Sequence, residues 1–158
     1  MLANNNTKEY IETSLINKIK RIVDEELETH NLINKDKGYM FAFESCIDVG
    51  EDFLLARMPV TPKVHQPDGV LHGGATVALA ESVGSAASYI FLDGNKYFIR
   101  GIEISANHVK SVKEGFVYAK AKILHKGRTT QLWEIKITNE ANQLISLCKL
   151  TTIALPRS

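Results

Sequence analysis

The stretch VLHGGATVALAESVGSAASYIFL, residues 70–92, decides how the rest of the chain is read. Its twenty-three residues carry one formal charge, at Glu81. That is long enough to raise the question of a membrane span. Yet Gly73, Gly74, Thr76, Glu81, Ser82, Gly84, Ser85 and Ser88 make it too polar and too small-sided for one. A helix apolar on nearly every face is instead one wrapped by protein. Ala75, Ala78, Ala80, Gly84, Ala86 and Ala87 let a sheet or another helix come close. The segment therefore reads as a buried central helix.

Outward from it, the pattern changes to period two. Val117, Ala119, Ala121 and Ile123 alternate with Phe116, Tyr118, Lys120 and Lys122, and Trp133, Ile135 and Ile137 alternate with Leu132, Glu134 and Lys136. Ile99 to Val112 and Leu144 to Leu155 read as two more long strands, with turns at residues 113–115, 126–128 and 139–143. Links this short predict antiparallel neighbours, hence a four-stranded meander. Before the helix, Ile47 to Val49 and Phe53 to Val60 flank Gly50-Glu51-Asp52 as a hairpin or bulged turn, and Pro62, Pro67 and Gly69 mark a loop. The layout is α+β, an antiparallel sheet curled around a helix.

Residues 1–38 differ. Ile11, Leu15, Ile19, Ile22, Val23 and Leu27 recur at helical spacing from Thr7 to about His30, with Thr7 as N-cap and residues 34–38 as a linking turn. An extra N-terminal amphipathic helix is expected here, ahead of one domain over residues 39–158. The full 158 residues suffice for a single domain.

Composition narrows the function. Nineteen Lys plus Arg against eighteen Asp plus Glu give a net charge of +1, which argues against a nucleic-acid binder. Cys46 and Cys148 form no CxxC pair and fit buried, reduced thiols. Residues 1–10 hold no apolar signal core, so a soluble cytoplasmic protein is expected, with no membrane partner. The five histidines show no i, i+3 or i+4 pair, and no metal site is expected. Neither GxSxG, GxxxxGK[ST] nor GxGxxG is present.

What remains is Glu81. A carboxylate within an apolar helix costs free energy unless paired, and burial should raise its pKa toward the range of a general base or nucleophile. The alternative is a Glu that caps a strand end or pairs with a lysine. Ser85 and Ser88 extend a polar stripe from it, with Ser82 beside, although serines can also bond their own helix backbone. The loop Gln66-Pro-Asp-Gly-Val-Leu-His72-Gly73-Gly74 leads into the helix. Free N–H groups there would polarise a carbonyl or hold an anion. The bland alternative is a tight turn with a satisfied loop histidine. Gly73 and Glu81 lie eight residues apart, about 12 Å along a helix. If both act on one carbonyl, a second chain must supply one of them, so the site is shared across a two-fold dimer.

These residues resemble a known family. The run from Gln66 to Ser85, the block Gly101-Ile-Glu-Ile-Ser-Ala-Asn-His108-Val and the block Leu124-His-Lys-Gly-Arg128-Thr-Thr-Gln-Leu-Trp133-Glu-Ile look like hotdog-fold acyl-CoA thioesterases of the 4-hydroxybenzoyl-CoA thioesterase superfamily. The branch is the one with a helix Glu, near the 1,4-dihydroxy-2-naphthoyl-CoA and enterobactin-proofreading thioesterases. The resemblance covers roughly Tyr39 to Leu155 and implies the hotdog fold. It implies Glu81 as catalytic carboxylate, attacking the thioester carbon or activating water, and the Gly73 N–H polarising the carbonyl. His72 and Gln66 would bind near that carbonyl, and Ser85 would orient the acyl group or water. Gln, His and Gly would come from one subunit, and Glu and Ser from its partner. Ser82 and His108 would line the acyl pocket, and Lys126 and Arg128 would suit coenzyme A phosphates; a core strand histidine and plain surface basicity are the alternatives. No cofactor is implied, since coenzyme A is part of the substrate. A homodimer or tetramer of dimers is implied, with an aromatic or hydroxyaromatic acyl group. The competing readings are a hydratase or dehydratase of acyl thioesters on the same fold, and a non-catalytic acyl-CoA-binding module.

Overall fold

The computed structural model describes residues 44–93 and 96–157. The helix expected over Thr7–His30, and the domain boundary at residue 38, lie outside them. In chain order the elements are β1 (Glu44–Val49), β2 (Phe53–Pro59), a 3-10 turn (Pro62–Val64), α1 (Gly73–Phe91), β3 (Tyr97–His108), β4 (Phe116–Lys126), β5 (Thr130–Asn139) and β6 (Leu144–Pro156).

The helix begins where its sequence permits. His72 has extended backbone angles and its ring Nδ1 accepts the Gly74 N–H at 2.8 Å, so the histidine is its own N-cap. The apolar side of the helix (Ala75, Leu79, Ala80, Val83 and Ala87) joins a core with Val117, Ala119, Ala121, Ile135, Ile137 and Leu150 of the sheet. Each large side chain so buried contributes about 1.5–3 kcal/mol. Close approach is needed at Gly84, where a Cβ would lie 2.5 Å from Leu150 Cδ2. Trp133, fully buried, packs against Phe91 at the far end of the helix, ring centroids 6.0 Å apart.

The strands form one antiparallel sheet in the order β1-β2-β4-β5-β6-β3. This corrects the meander expected over the last four strands. β4 to β6 do form one, through the turns after Lys126 and Asn139, but β3 pairs with β6 at the far edge and not with β4. The reason lies in residues 109–115, which do not close a hairpin. Val112 O accepts the Leu71 N–H at 2.8 Å and Gly115 O accepts the Val60 N–H at 2.8 Å. Bound to the loop ahead of the helix, this link carries the chain across the end of the sheet. β3 also stops at His108, short of the Val112 end expected.

Candidate active site at the start of the central helix

The loop between β2 and α1 folds back as a small hairpin. His72 N donates to Val64 O, Gln66 N to Val70 O and Gly69 N to Gln66 O, each at 2.9 Å. The last closes a tight turn, with Pro67 at its second position and Gly69 at φ 78°, a conformation suited to glycine. Gln66 is thus held half-buried at the hairpin tip and His72 at the base, exposed at the start of α1. With its Nδ1 taken up as an acceptor, neutral His72 carries its hydrogen on Nε2.

The backbone N–H of Gly74 is bound by His72 Nδ1 and that of Thr76 by His72 O. The Gly73 N–H has no acceptor among the described residues, as a donor for an incoming carbonyl must. Gly73 faces the end of β3. A Cβ there would come within 2.9 Å of His108 Nε2, so only glycine leaves the imidazole its place.

One strand therefore flanks both ends of the candidate site. At its other part Gly101 lies under Glu81: a Cβ on Gly101 would meet Glu81 Oε1 at 2.9 Å. The strand is irregular there, with a register shift between Gly101 and Glu103 that leaves Ile102 bulged and 56% exposed. Glu81 itself is exposed. This corrects the reading of it as a carboxylate buried inside the helix: within one chain it projects over the bare edge strand, and the desolvation invoked for it is not supplied by the chain's own core.

Ser82 and Ser85 are half-buried on the helix, Ser85 one turn past Glu81. Ser88 leaves the expected polar stripe. It is fully buried and bonds Thr152 Oγ1 at 2.8 Å, which donates to Gln131 Oε1 at 3.0 Å. That chain of hydroxyls and amide belongs to the core.

Lys126 and Arg128 are exposed at the β4–β5 turn. Gln131, just past that turn, aligns with Thr152 and through it with Gly101, whereas His108 aligns with Ser146 and Ile137. The two basic residues thus lie toward the Glu81 end of the sheet and are not brought to His72 and Gly73 of the same chain. Two contributors escaped the sequence reading. Gly101 carried a signal, a glycine inside a strand pattern, which marks a bulge or a close approach. Ser146, bonded to His108, carried none until the strand pairing was known. Among the described residues no three His, Cys, Asp or Glu side chains converge as metal ligands, and no helix is long and apolar enough to cross a membrane.

Comparison with known proteins adds a chemical context to this geometry. A family model described as Thioesterase superfamily matches residues 68–146. The chain is 47% identical over 107 residues to 1,4-dihydroxy-2-naphthoyl-CoA hydrolase of Escherichia coli strain K12, an alignment covering 68% of this chain and 78% of that one. It is 43% identical over 107 residues to the proofreading thioesterase EntH of Cronobacter sakazakii, covering 68% and 77%. The crystal structure of a mutant of thioesterase PA1618 from Pseudomonas aeruginosa superposes with a TM-score of 0.76 at 37% identity, covering 83% of this chain and 94% of that one.

Proposed function

Since the chain belongs to the Thioesterase superfamily and is a thioester hydrolase, we propose that it hydrolyses an aromatic or hydroxyaromatic acyl-CoA to the free acid and coenzyme A, with Glu81 as its catalytic carboxylate. The observation that carries this reading is the pairing of β3 with both ends of the site: Gly73 against His108, and Glu81 over Gly101.

β3 is an edge strand twelve residues long, with exposed Phe98 and Ile102. Its unpaired backbone is a template for a second copy. Two β3 strands pairing antiparallel about a two-fold between Ile104 and Ser105 would set Gly101 of one protomer opposite His108 of its partner. Glu81 of one chain then approaches Gly73 of the other, and the separation of about 12 Å along one helix is bridged between chains. The same pairing desolvates Glu81, and it brings the Lys126 and Arg128 end of one chain toward the partner's helix start, where coenzyme A phosphates need cations. Two such dimers form a tetramer.

The thioester needs little further activation, because sulfur donates poorly into the carbonyl and a thiolate leaves readily. Gly73 N–H takes the developing negative charge on oxygen. His72 Nε2–H and Gln66 bind beside it, and Ser85 orients the acyl group or water. Glu81 either attacks the carbonyl carbon, giving an anhydride that water opens, or takes the proton of an attacking water. In both routes the carbon–sulfur bond breaks and coenzyme A leaves as a thiolate that collects a proton. A relative named for a hydroxynaphthoyl-CoA supports the acyl class.

Release of free thiol from benzoyl-, phenylacetyl-, hydroxynaphthoyl- and octanoyl-CoA tests the reading. Turnover is expected on the aromatic esters, with Glu81→Ala lowering it by at least about 10²-fold while the fold stays intact. Measurable acyl-CoA binding without turnover by the wild type would overturn it in favour of a binding module, and interconversion of a 3-hydroxyacyl-CoA and its 2-enoyl-CoA plus water, without thiol release, in favour of a hydratase or dehydratase.

A further inference from the structure

His108 stands on the exposed edge strand, yet one of its ring nitrogens reaches a wholly buried hydroxyl. Ser146, directly opposite it on β6, is 0% exposed. Its Oγ donates to Asn107 O at 3.2 Å and lies 3.1 Å from His108 Nδ1. A serine hydroxyl has one proton and two lone pairs. A hydroxyl proton directed at Asn107 O leaves the oxygen to meet Nδ1 as an acceptor, an arrangement that requires the ring hydrogen on Nδ1. Cys148 Sγ, 3.5 Å away, meets the same oxygen. Either atom of that pair can donate, and burial raises the thiol's pKa while the Ser146 hydrogen bond lowers it. In neutral His108 that tautomer leaves Nε2 bare, and Nε2 is the atom nearest the place a Cβ on Gly73 would take.

We propose that Ser146 is a positioning residue that holds His108 in its Nδ1–H tautomer, so that Nε2 stands as a hydrogen-bond acceptor on the side of Gly73 where a Cβ would lie. The inference deepens the function proposed above and rests on it for its kinetic consequence. The two groups divide the work. Gly73 donates, and a carbonyl oxygen turns to it because the Nε2 lone pair repels that oxygen. His108 accepts, and so draws an O–H from water or from the acyl group. The opposite tautomer would place a second donor there and let the carbonyl settle on the wrong group.

Long-range proton–nitrogen correlation spectra of the full chain labelled at histidine read the tautomer directly, with His108 assigned by its loss in His108→Asn. The expected wild-type signal has Nδ1 protonated and Nε2 bare. Ser146→Ala is expected to move His108 toward the Nε2–H form and to lower kcat about tenfold with KM little changed, the size of one lost hydrogen bond. Ser146→Thr, which keeps the hydroxyl, restores both. A merely structural serine would shift the melting temperature and leave the tautomer alone. Nε2–H in the wild type, or a tautomer unmoved by Ser146→Ala, overturns the proposal. If the wild type cleaves no thioester, the functional reading falls, while the spectra still decide what Ser146 does.

Discussion

The ring of His72 separates into two atoms with different duties. Nδ1 caps the helix through the Gly74 N–H, and Nε2 remains for whatever binds at the helix start. His72→Ala should therefore cost about 1 kcal/mol of stability in urea unfolding as well as turnover. His72→Asn, a good cap without the distal N–H, should keep the stability and still lose turnover; equal destabilisation by both changes would refute the capping role. Cys148 offers a second test at this scale. The folded chain raises its pKa, chiefly by burial and against a lowering by the Ser146 hydrogen bond. The protonated thiol is thus favoured by the fold. Its stabilising contribution is full below the ordinary thiol range near 8.5 and is lost as pH climbs through the raised value. Urea midpoints of the wild type should fall in the alkaline range more steeply than those of Cys148→Ala.

At the scale of elements, β3 carries more than its pattern announces. Its alternation identified a strand but said nothing of the bulge at Ile102 or of the bare backbone that Gly101 sets beneath the Glu81 carboxylate. Gly101→Ala would put a methyl 2.9 Å from Oε1 and 3.5 Å from Leu150 Cδ1. The carboxylate, at the free end of its side chain, is the group that yields. We expect kcat for thioester cleavage to fall at least about tenfold, with a melting temperature close to wild type. A variant with undiminished kcat would show that Glu81 works from another position. The helix, in contrast, was legible almost to its ends, because Gly73-Gly74 and the small residues after it leave few other ways to bury so little polarity.

At the scale of the whole molecule, the site proposed above draws on two chains. Glu81 and Gly73 of one chain face different parts of β3, so the shared-site reading makes a stoichiometric prediction. Glu81→Ala and Gln66→Ala should each be nearly inactive alone. After subunit exchange between equal amounts, half the dimers are mixed, and each mixed dimer has one site with both Gln66 and Glu81 intact. About a quarter of wild-type turnover should return. No recovery, with exchange demonstrated by mass, would mean that each chain works alone.

Residue pattern alone determined the central helix and the strand pairs joined by short turns, because each is a local matter of periodicity and turn chemistry. It placed Glu81 wrongly inside the core, since an apolar helix sequence does not say which side the sheet will leave uncovered. It also placed β3 beside β4. Which strand a long strand pairs with depends on how the sheet closes over the helix, and the seven residues from 109 to 115 are long enough to cross the sheet end. Only the tertiary structure therefore decided that β3 is the free edge, that His108 meets Gly73, and that a buried serine from the last strand stands behind it: these contacts join residues far apart in the chain, and nothing local records them.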